Sequence, residues 1–325
     1  MTKPLSTESL ESYPQIVQWV SFDADGCVRL RSGKVEIGQG IATALVQMAA
    51  EELDIAPERC RLIAGNTSES PDEGMTTSSK SVEVGGTTLR LAASATPAGA
   101  LSAVVLTHLH SDHITDLNDL ITGRWVTGFP ASPLPIYGPP GTRRVVDAIV
   151  DMLGPDIGYR IAHHDDVTDG PHPVVTEVDP SGGEVFADAE ADVRIIAAPT
   201  DHRPVEPTLG YRIDHGASSV VIGGDGVPCA GLDELCAGAD AYVQTVLRED
   251  LVRQLPIQRF IDTIDYHSTV EQAAQTAQRA GVGTLVLTHQ VPTPAPGSDD
   301  EWIALAAAHF DGTIVFGHDL TTVTV

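Results

Sequence analysis

The sequence predicts an α/β fold in which strands and helices form packed layers. Two observations support this class. From about residue 101 to the C-terminus, short apolar runs typical of buried strands are interspersed with helical patterns. Several of these runs end in histidine or aspartate, and polar residues at strand ends commonly carry function.

The N-terminal part has a different pattern. We predict a strand at residues 16–22, an Asp25-Gly26 turn, a return strand at 28–30 and a helix at 43–53. Residues 92–100 are small and flexible in composition, so we interpret them as a join. The predicted domains are therefore 1–94, a small α+β segment, and 95–325.

The second domain contains most of the predicted elements. Residues 101–106 are predicted as a strand, 114–122 as a short helix, 134–141 as a strand ending in a turn, and 142–153 as an amphipathic helix. Residues 154–192 are predicted as loops with one or two edge strands. The remaining predictions are strands at 193–197, 209–214, 219–223 and 241–246, a helix at 270–280, a strand at 284–288, a helix at 301–309, and strands at 313–316 and 321–325.

Composition excludes several classes of protein. No apolar run approaches the roughly 18 residues that cross a bilayer, and the N-terminus lacks a signal-peptide pattern, so we expect a cytoplasmic protein that is not membrane-bound. The four cysteines form no Cys-x-x-Cys pair and are expected to be free thiols. The net charge of −26 disfavours a nucleic-acid substrate without excluding one, because acidity can also serve solubility.

The densest polar cluster is Thr-His-Leu-His-Ser-Asp-His at residues 107–113, directly after an apolar run. Buried polar groups need partners, and a metal ion supplies one partner to several of them. Residues two apart in an extended chain point the same way, so His108 and His110 are placed to bind one ion. Past the turn, Asp112 and His113 are placed to reach a second. Imidazole and carboxylate are ligands for zinc or a similar transition metal.

This His-x-His-x-Asp-His pattern resembles the signature of the metallo-β-lactamase superfamily, which implies an αββα sandwich. Such sites need further ligands from distant loops, and the chain offers His202, Asp225 and His289 in the expected order. Asp225 and His289 each end an apolar run, as the first motif does. By contrast, we expect His163, His164 and His172 to be exposed loop residues.

Within the superfamily, residues 100–325 resemble ribonuclease Z, the tRNA 3′-processing endonuclease, of the actinobacterial type. The matching stretches are 137–142, 202–204, 210–213, 224–225 and 265–269, with Ala273-Ala274. The resemblance implies one zinc ion at His108, His110 and His202, a second at Asp112, His113 and His289, and Asp225 as the bridge. It also implies a homodimer and a precursor tRNA substrate.

Two cations about 3.5–4 Å apart polarise a phosphodiester and activate water. In the implied mechanism Asp112 accepts the water's proton, and His267 stabilises charge or protonates the leaving oxygen. Residues 268 and 269 are placed to cap the helix that follows His267. Arg203 and Arg212 are the most plausible phosphate contacts, and a structural ion pair is the alternative for each.

Residues 15–93 resemble a fragment of the molybdopterin-binding subunit of xanthine dehydrogenase and isoquinoline oxidoreductase type enzymes. The resemblance runs through 38–40 (Gly-Gln-Gly), 50–55 and 65–77. Because this is a small part of that subunit, we expect no molybdenum chemistry. The segment stands where the superfamily has its first sandwich strands, so we expect an atypical N-terminal half.

A second departure is the absence of the long basic arm with which ribonuclease Z holds tRNA, because 154–192 contain one basic residue, Arg160. Three alternatives therefore stay open besides ribonuclease Z. They are a small-ester hydrolase or phosphodiesterase on the same scaffold, a catalytically silent fusion product and, least favoured, a molybdenum hydroxylase. The ion could be zinc, manganese or iron.

Overall fold

The computed structural model describes residues 9, 12–13, 15–23, 27–36, 39–53, 55–66, 68–73, 76, 81, 86, 88–90, 101–127, 133–165, 167–318 and 321–325. The strands are β1 (Val20–Phe22), β2 (Val28–Ser32), β3 (Cys60–Ala64), β4 (Val104–Val105), β5 (Leu134–Gly138), β6 (Pro173–Glu177), β7 (Gly183–Asp188), β8 (Val193–Pro199), β9 (Leu209–His215), β10 (Ser218–Ile222), β11 (Ala241–Leu247), β12 (Thr284–Val291) and β13 (Thr313–Phe316).

The helices, in the same order along the chain, are α1 (Ile41–Glu52), α2 (Ser111–Ile114), α3 (Leu117–Thr127), α4 (Thr142–Met152), α5 (Gly154–His163), α6 (Ala230–Cys236), α7 (Glu249–Val252), α8 (Gln258–Ile261), α9 (Val270–Ala280) and α10 (Asp299–Ala307). Short 3-10 helices lie at Ile16–Gln18, Pro57–Arg59 and Asp262–Asp265. None of the described helices is long and apolar enough to cross a membrane.

The chain forms two compact units. The first unit comprises Met1–Ser102, Asp116–Leu134 and Val150–Val174, and the second comprises Ala103–Thr115, Pro135–Ile149 and Val175–Val325. The predicted join at residues 92–100 lies outside the described residues. The division into domains 1–94 and 95–325 therefore stays a prediction.

The first unit contains a three-stranded sheet in the order β1-β2-β3. Strand β2 alternates between inward and outward residues, so Val28 and Leu30 are buried while Arg29 and Arg31 are only partly buried. Helix α1 places Ile41, Leu45 and Ala49 on one buried face, because residues four apart lie on the same side of a helix. These apolar residues pack with Trp19 and Leu89 into one core.

The second unit is built on a seven-stranded sheet in the order β13-β12-β11-β10-β9-β8-β7. Strands β10 to β13 run parallel to one another, and β7 to β10 are antiparallel. Each parallel connection passes through a helix, as parallel pairing requires. Helices α6, α9 and α10 cover one face, where Leu232, Ala273 and Trp302 pack against Tyr242 and Leu285 of the sheet.

The opposite face of this sheet is covered unevenly. Over β8 and β9, Ile195 and Tyr211 pack against Val105 and Tyr137 of the small sheet β4-β5-β6. Over β10 to β12, a cavity of about 320 Å³ lies between residues such as Val243 and the C-terminal residues 317, 318, 321, 323 and 325. The second unit therefore has the mixed α/β architecture of the predicted class, with two sheets packed face to face over only part of their width.

Most predicted elements are confirmed. Helix α9 has the predicted bounds, and it begins with a capping box in which Thr269 Oγ1 accepts from the N–H of Gln272 while the Gln272 side chain accepts from the N–H of Thr269. The prediction that residues 268 and 269 cap this helix is therefore correct for Thr269.

Three element predictions are wrong. Residues 154–163, predicted as loop, form α5, because Pro155 suits the first turn of a helix and Arg160 pairs with Asp156 one turn earlier. Residues 321–325 alternate like a strand but pair with no neighbouring strand. Residues 16–22 form a 3-10 turn followed by the three-residue β1. The predicted Asp25-Gly26 turn lies outside the described residues.

Candidate metal centre

The His-rich motif begins where strand β4 ends. The extended segment is fixed on both sides, because the Leu106 N–H donates to the Tyr137 carbonyl and the Leu209 N–H donates to the Thr107 carbonyl. His110 has the extended backbone of a helix N-cap, and α2 begins at the next residue. The first two histidines therefore project from extended chain, and Asp112 and His113 project from a helical turn.

Four side chains from three separate parts of the second unit form the first ligand group. The group consists of His108, His110, His202 and Asp225, whose ligand atoms all lie within 4.8 Å of one another. His108 Nε2 is 3.1 Å from His110 Nδ1, and His202 Nε2 is 3.4 Å from the same atom. Asp225 Oδ2 lies 3.8 Å from His108 Nε2 and 3.9 Å from His202 Nε2.

The second ligand group lies beside the first. It consists of Asp112, His113 and His289, again within 4.8 Å of one another. Asp112 Oδ2 is 3.3 Å from His289 Nε2 and 3.7 Å from His113 Nε2. Asp225 Oδ2 is only 3.3 Å from His113 Nε2, so this one carboxylate lies against both groups. All seven predicted ligands are therefore brought together.

The chemistry of these groups fits metal ions. Asp225 Oδ1, His113 Nε2 and His289 Nδ1 are buried atoms that have no well-formed hydrogen bond among the described residues. Leaving such atoms unsatisfied is costly, and a cation between them would remove the cost. Histidine nitrogens with one or two carboxylates are a donor set that suits zinc or iron.

Contacts behind the ligands orient the rings. The Nδ1–H of His202 donates to the Tyr266 carbonyl at 2.8 Å, which leaves Nε2 free to face the centre. His108 Nδ1 lies 3.1 Å from the Thr107 hydroxyl. Such partners fix which ring nitrogen carries the proton. Both rings are fully buried, at 1% exposed or less, so their orientation is also fixed by packing.

The protonation states suit metal binding. Burial lowers the pKa of His108 to about 3 and also lowers the pKa of His202, so both rings are neutral at pH 7. Burial raises the pKa of Asp225, but the His113 and His267 rings against its carboxylate lower it more, and the net pKa is well below its usual range. Neutral imidazoles and an ionised carboxylate are the forms that bind cations.

The loop that carries Asp225 depends on two glycines and a buried amide. A Cβ on Gly224, where φ is +68°, would lie 2.9 Å from Thr107 Cβ. A Cβ on Gly223 would lie 2.0 Å from Gln244 Oε1. The Gln244 amide donates to the Gly224 carbonyl at 2.9 Å, and the Thr245 hydroxyl donates to the same oxygen at 3.0 Å.

Sequence reasoning missed this support for Asp225. Gln244 is fully buried, and its Oε1 accepts a 2.6 Å hydrogen bond from the Tyr242 hydroxyl. The available signal was an amide in the middle of the otherwise apolar β11. A buried amide needs several partners, so it indicates a polar network nearby.

The remaining predicted site residues lie in three different settings. His267 is buried, with Nε2 3.2 Å from Asp225 Oδ2 and Nδ1 3.0 Å from the Thr263 carbonyl. Arg203 is exposed and pairs with Asp201. Arg212 pairs with Asp214 and donates to the carbonyls of residues 235 and 237. These contacts favour the structural ion pair for Arg212 over the phosphate contact.

The loop histidines take no part in the centre. His163 and His164 are exposed, as predicted, and lie edge to face with ring centres 4.7 Å apart, although His163 belongs to helix α5 rather than to a loop. Among the residues that the structure describes, the two groups above are the only His, Cys, Asp or Glu clusters with metal-ligand spacing.

Residues 83–290, more than half of the chain, match the family model of the β-lactamase superfamily domain. Fold, centre and match together define the class of protein, a metal-dependent hydrolase of the metallo-β-lactamase fold. A ribonuclease Z of Mycolicibacterium gilvum is 51% identical over 275 residues, which cover 81% of this chain and 95% of that protein. A ribonuclease Z of Mycobacterium bovis is 54% identical over 238 residues, 73% of this chain and 84% of that protein. The chain belongs to the ribonuclease Z family.

Two further matches complete the comparison. The crystal structure of human tRNase Z, short form, aligns with 22% identity and a TM-score of 0.48 over 70% of this chain and 80% of that protein. The model of a molybdopterin cofactor-binding domain matches residues 2–108. The ribonuclease Z relatives and the molybdopterin-domain match confirm both resemblances found in the sequence.

Proposed function

We propose that this chain is a two-zinc endonuclease that cleaves precursor tRNA at its 3′ end. The observation that carries the proposal is the convergence of seven ligand side chains, from His108 to His289, into two adjacent groups with Asp225 against both. The family relationship supports the choice of substrate. Both relatives above are named ribonuclease Z, and the matches cover 95% and 84% of their lengths.

The ligand groups suggest a place for each ion. His108, His110 and His202 would hold one, Asp112, His113 and His289 the other, and Asp225 would lie between them. When bound, a pair of divalent cations polarises the phosphodiester and makes water a stronger nucleophile. Zinc is favoured over manganese because five of the seven ligands are imidazoles.

Two side chains of this chain are placed to move protons. The Asp112 side chain is 59% exposed. Burial raises the pKa of Asp112, but its hydrogen bond with His289 and the nearby histidines lower it more, so it is an ionised base at pH 7. It would accept a proton from the attacking water as the new P–O bond forms.

His267 would act on the leaving oxygen. Because its Nδ1–H is engaged by the Thr263 carbonyl, Nε2 is the atom that faces the centre. In its imidazolium form, with a second proton on Nε2, it would stabilise charge on the phosphate or give that proton to the oxygen that departs as the old P–O bond breaks. Arg203 stays the proposed phosphate contact, since it follows the ligand His202 in sequence and its side chain is 68% exposed even though it pairs with Asp201.

Precursor tRNA as substrate, a homodimer and a cytoplasmic location are supported by the family resemblance.

The direct test is cleavage of a precursor tRNA by the full chain, with metal content measured on the same sample. We expect one cut at the 3′ end of the mature tRNA and near two zinc ions per chain. Bis-p-nitrophenyl phosphate serves as the comparison substrate. A protein that binds two ions and hydrolyses this small ester but leaves the precursor intact would contradict the tRNA assignment.

A phosphodiesterase for small substrates is the second candidate, and charge favours it. The net charge of −26 repels RNA. The one basic residue of 154–192, Arg160, forms an ion pair with Asp156 at 2.9 Å, and its guanidinium lies 5.4 Å from the centre of the Trp125 ring. Both candidates use the same metal centre. The two-substrate assay above separates them.

A further inference from the structure

One segment of the second unit forms part of the metal centre and also faces solvent. Residues 257–266 contain α8, the 3-10 turn Asp262–Asp265 and Tyr266. On its inner side, the Tyr266 carbonyl accepts from His202 and the Thr263 carbonyl accepts from His267. The segment therefore holds one ligand and the proposed proton donor in place.

The outer side of this segment carries an aromatic ring. Ile257 is 41% exposed and Phe260 is 40% exposed, among exposed polar side chains that include Asp262 and Asp265. The Phe260 backbone is fixed, because the Thr263 hydroxyl donates to its carbonyl at 2.6 Å. The ring is therefore presented on a defined turn rather than on a free loop.

A guanidinium accompanies the ring. Arg259 lies with its guanidinium carbon 5.6 Å from the centre of the Phe260 ring. In the described part of the chain it makes no ion pair. Six other arginines of the second unit do pair with carboxylates, namely Arg194, Arg203, Arg212, Arg248, Arg253 and Arg279. Arg143 and Arg144 of this unit likewise make no ion pair with a described residue. Of the three arginines that lie over an aromatic ring in the described residues, however, Arg160 and Arg248 pair with carboxylates and Arg259 does not.

We propose that Phe260 and Arg259 form a stacking platform for an unpaired nucleotide of the RNA substrate. A nucleobase stacks on an aromatic face whatever its sequence, and an arginine beside it contacts the phosphate. Double-stranded RNA does not fit this chemistry, because its base faces are covered. The inference rests on the proposed endonuclease function and extends it to how the single strand is held.

The distance along the chain suits this role. Residues 258–265 are helical, with a rise of about 1.5–2 Å per residue, so the seven residues from Phe260 to His267 span at most about 10–14 Å. The platform is therefore placed for the first unpaired nucleotides next to the cut.

The test uses the full chain and a precursor tRNA with 2-aminopurine in the first three unpaired trailer positions. Phe260→Ala should raise KM about tenfold, within the range measured for base–aromatic stacking, and change kcat little. It should also abolish the 2-aminopurine quenching that the wild-type protein produces on binding. Phe260→Tyr keeps the ring and should behave like the wild type. Arg259→Gln should reduce the salt dependence of binding.

Tyr159→Ala is the matched control, because it removes an aromatic side chain that is 73% exposed in the first unit. Metal content checks that each variant is intact. Wild-type KM and quenching in Phe260→Ala, or equal loss in the Tyr and Ala variants, would overturn the platform while the endonuclease assignment stands. A wild-type protein that neither binds nor cuts the precursor would overturn both.

Discussion

Two polar clusters, one in each unit, show opposite ways of compensating buried polar groups. In the first unit, Lys34 is 1% exposed and its ammonium donates to the Glu73 carbonyl at 2.5 Å. The Glu73 carboxylate accepts from the Ser32 hydroxyl and the Gly33 N–H, although its Oε1 has no partner among the described residues. Donors and acceptors of this cluster largely satisfy one another.

The metal centre of the second unit lacks that balance. Its members are five imidazoles and two carboxylates, with no ammonium or guanidinium group among them. Three buried atoms, on His113, Asp225 and His289, have no well-formed hydrogen bond among the described residues. A cluster rich in acceptors needs cations from outside, whereas a cluster with its own ammonium does not. The balance of donors and acceptors, rather than burial, therefore distinguishes a ligand site from a structural network.

The largest expected effect is the loss of the shared carboxylate. Asp225→Ala should remove both ions together, because this side chain lies against both ligand groups. Metal catalysis supplies several kcal/mol, so precursor cleavage should fall by about a thousandfold or more. Metal analysis and single-turnover kinetics measure the two effects. Asp233→Ala, which removes an exposed carboxylate paired with Arg279, is the control. Retention of two ions in Asp225→Ala would contradict the view that this carboxylate makes the centre depend on cations.

The next effect concerns His267, which touches Asp225 but belongs to neither ligand group. His267→Ala should lower kcat by about a hundredfold or more, the usual contribution of a general acid, while both ions stay bound. Rate and metal content are measured on the same preparation. Loss of the ions in this variant would make His267 a ligand rather than a proton donor.

A smaller effect on metal binding is expected from Gln244, which supports the Asp225 loop without being a ligand. Gln244→Leu keeps the volume of the side chain but removes the amide that holds the Gly224 carbonyl. Because such partners orient a ligand, metal affinity should fall about tenfold in a chelator competition, with the fold retained. Gln278→Leu, which removes an exposed glutamine bonded to Asp311, should leave affinity unchanged. Equal affinities in the two variants would assign Gln244 a purely structural role.

A substitution in the first unit's cluster is expected to leave metal binding unchanged. Lys34→Met removes a buried donor and leaves the Glu73 carbonyl with one partner fewer. The free energy of unfolding should fall by about 1–3 kcal/mol, as measured by denaturant titration, with metal affinity and precursor cleavage unchanged. A change in metal affinity would show that the two clusters are coupled.

Some parts of the fold were predictable because they depend on neighbours in sequence. Helix α9 could be located to the residue from its cap and its pattern of alanines. Helix α5 was missed because the abundance of Pro, Gly and Asp in 154–192 outweighed the correct local signal, Pro155 in the first turn. Residues 321–325 have the alternating pattern of a strand but do not form one in the structure. A strand needs a neighbouring strand to pair with, and the local sequence cannot show whether one is in reach.

The sequence by itself determined the ligand types, their order and the pairing within His108–His113, because these six residues are within reach of one another through local geometry alone. Only the tertiary structure decided that Asp225 lies against both groups and that Gln244 supports it. It also decided that Arg212 is tied to carbonyls of a neighbouring helix. The physical reason is separation: His289 and Asp112 are 177 residues apart, and only the packed sheet brings them to 3.3 Å.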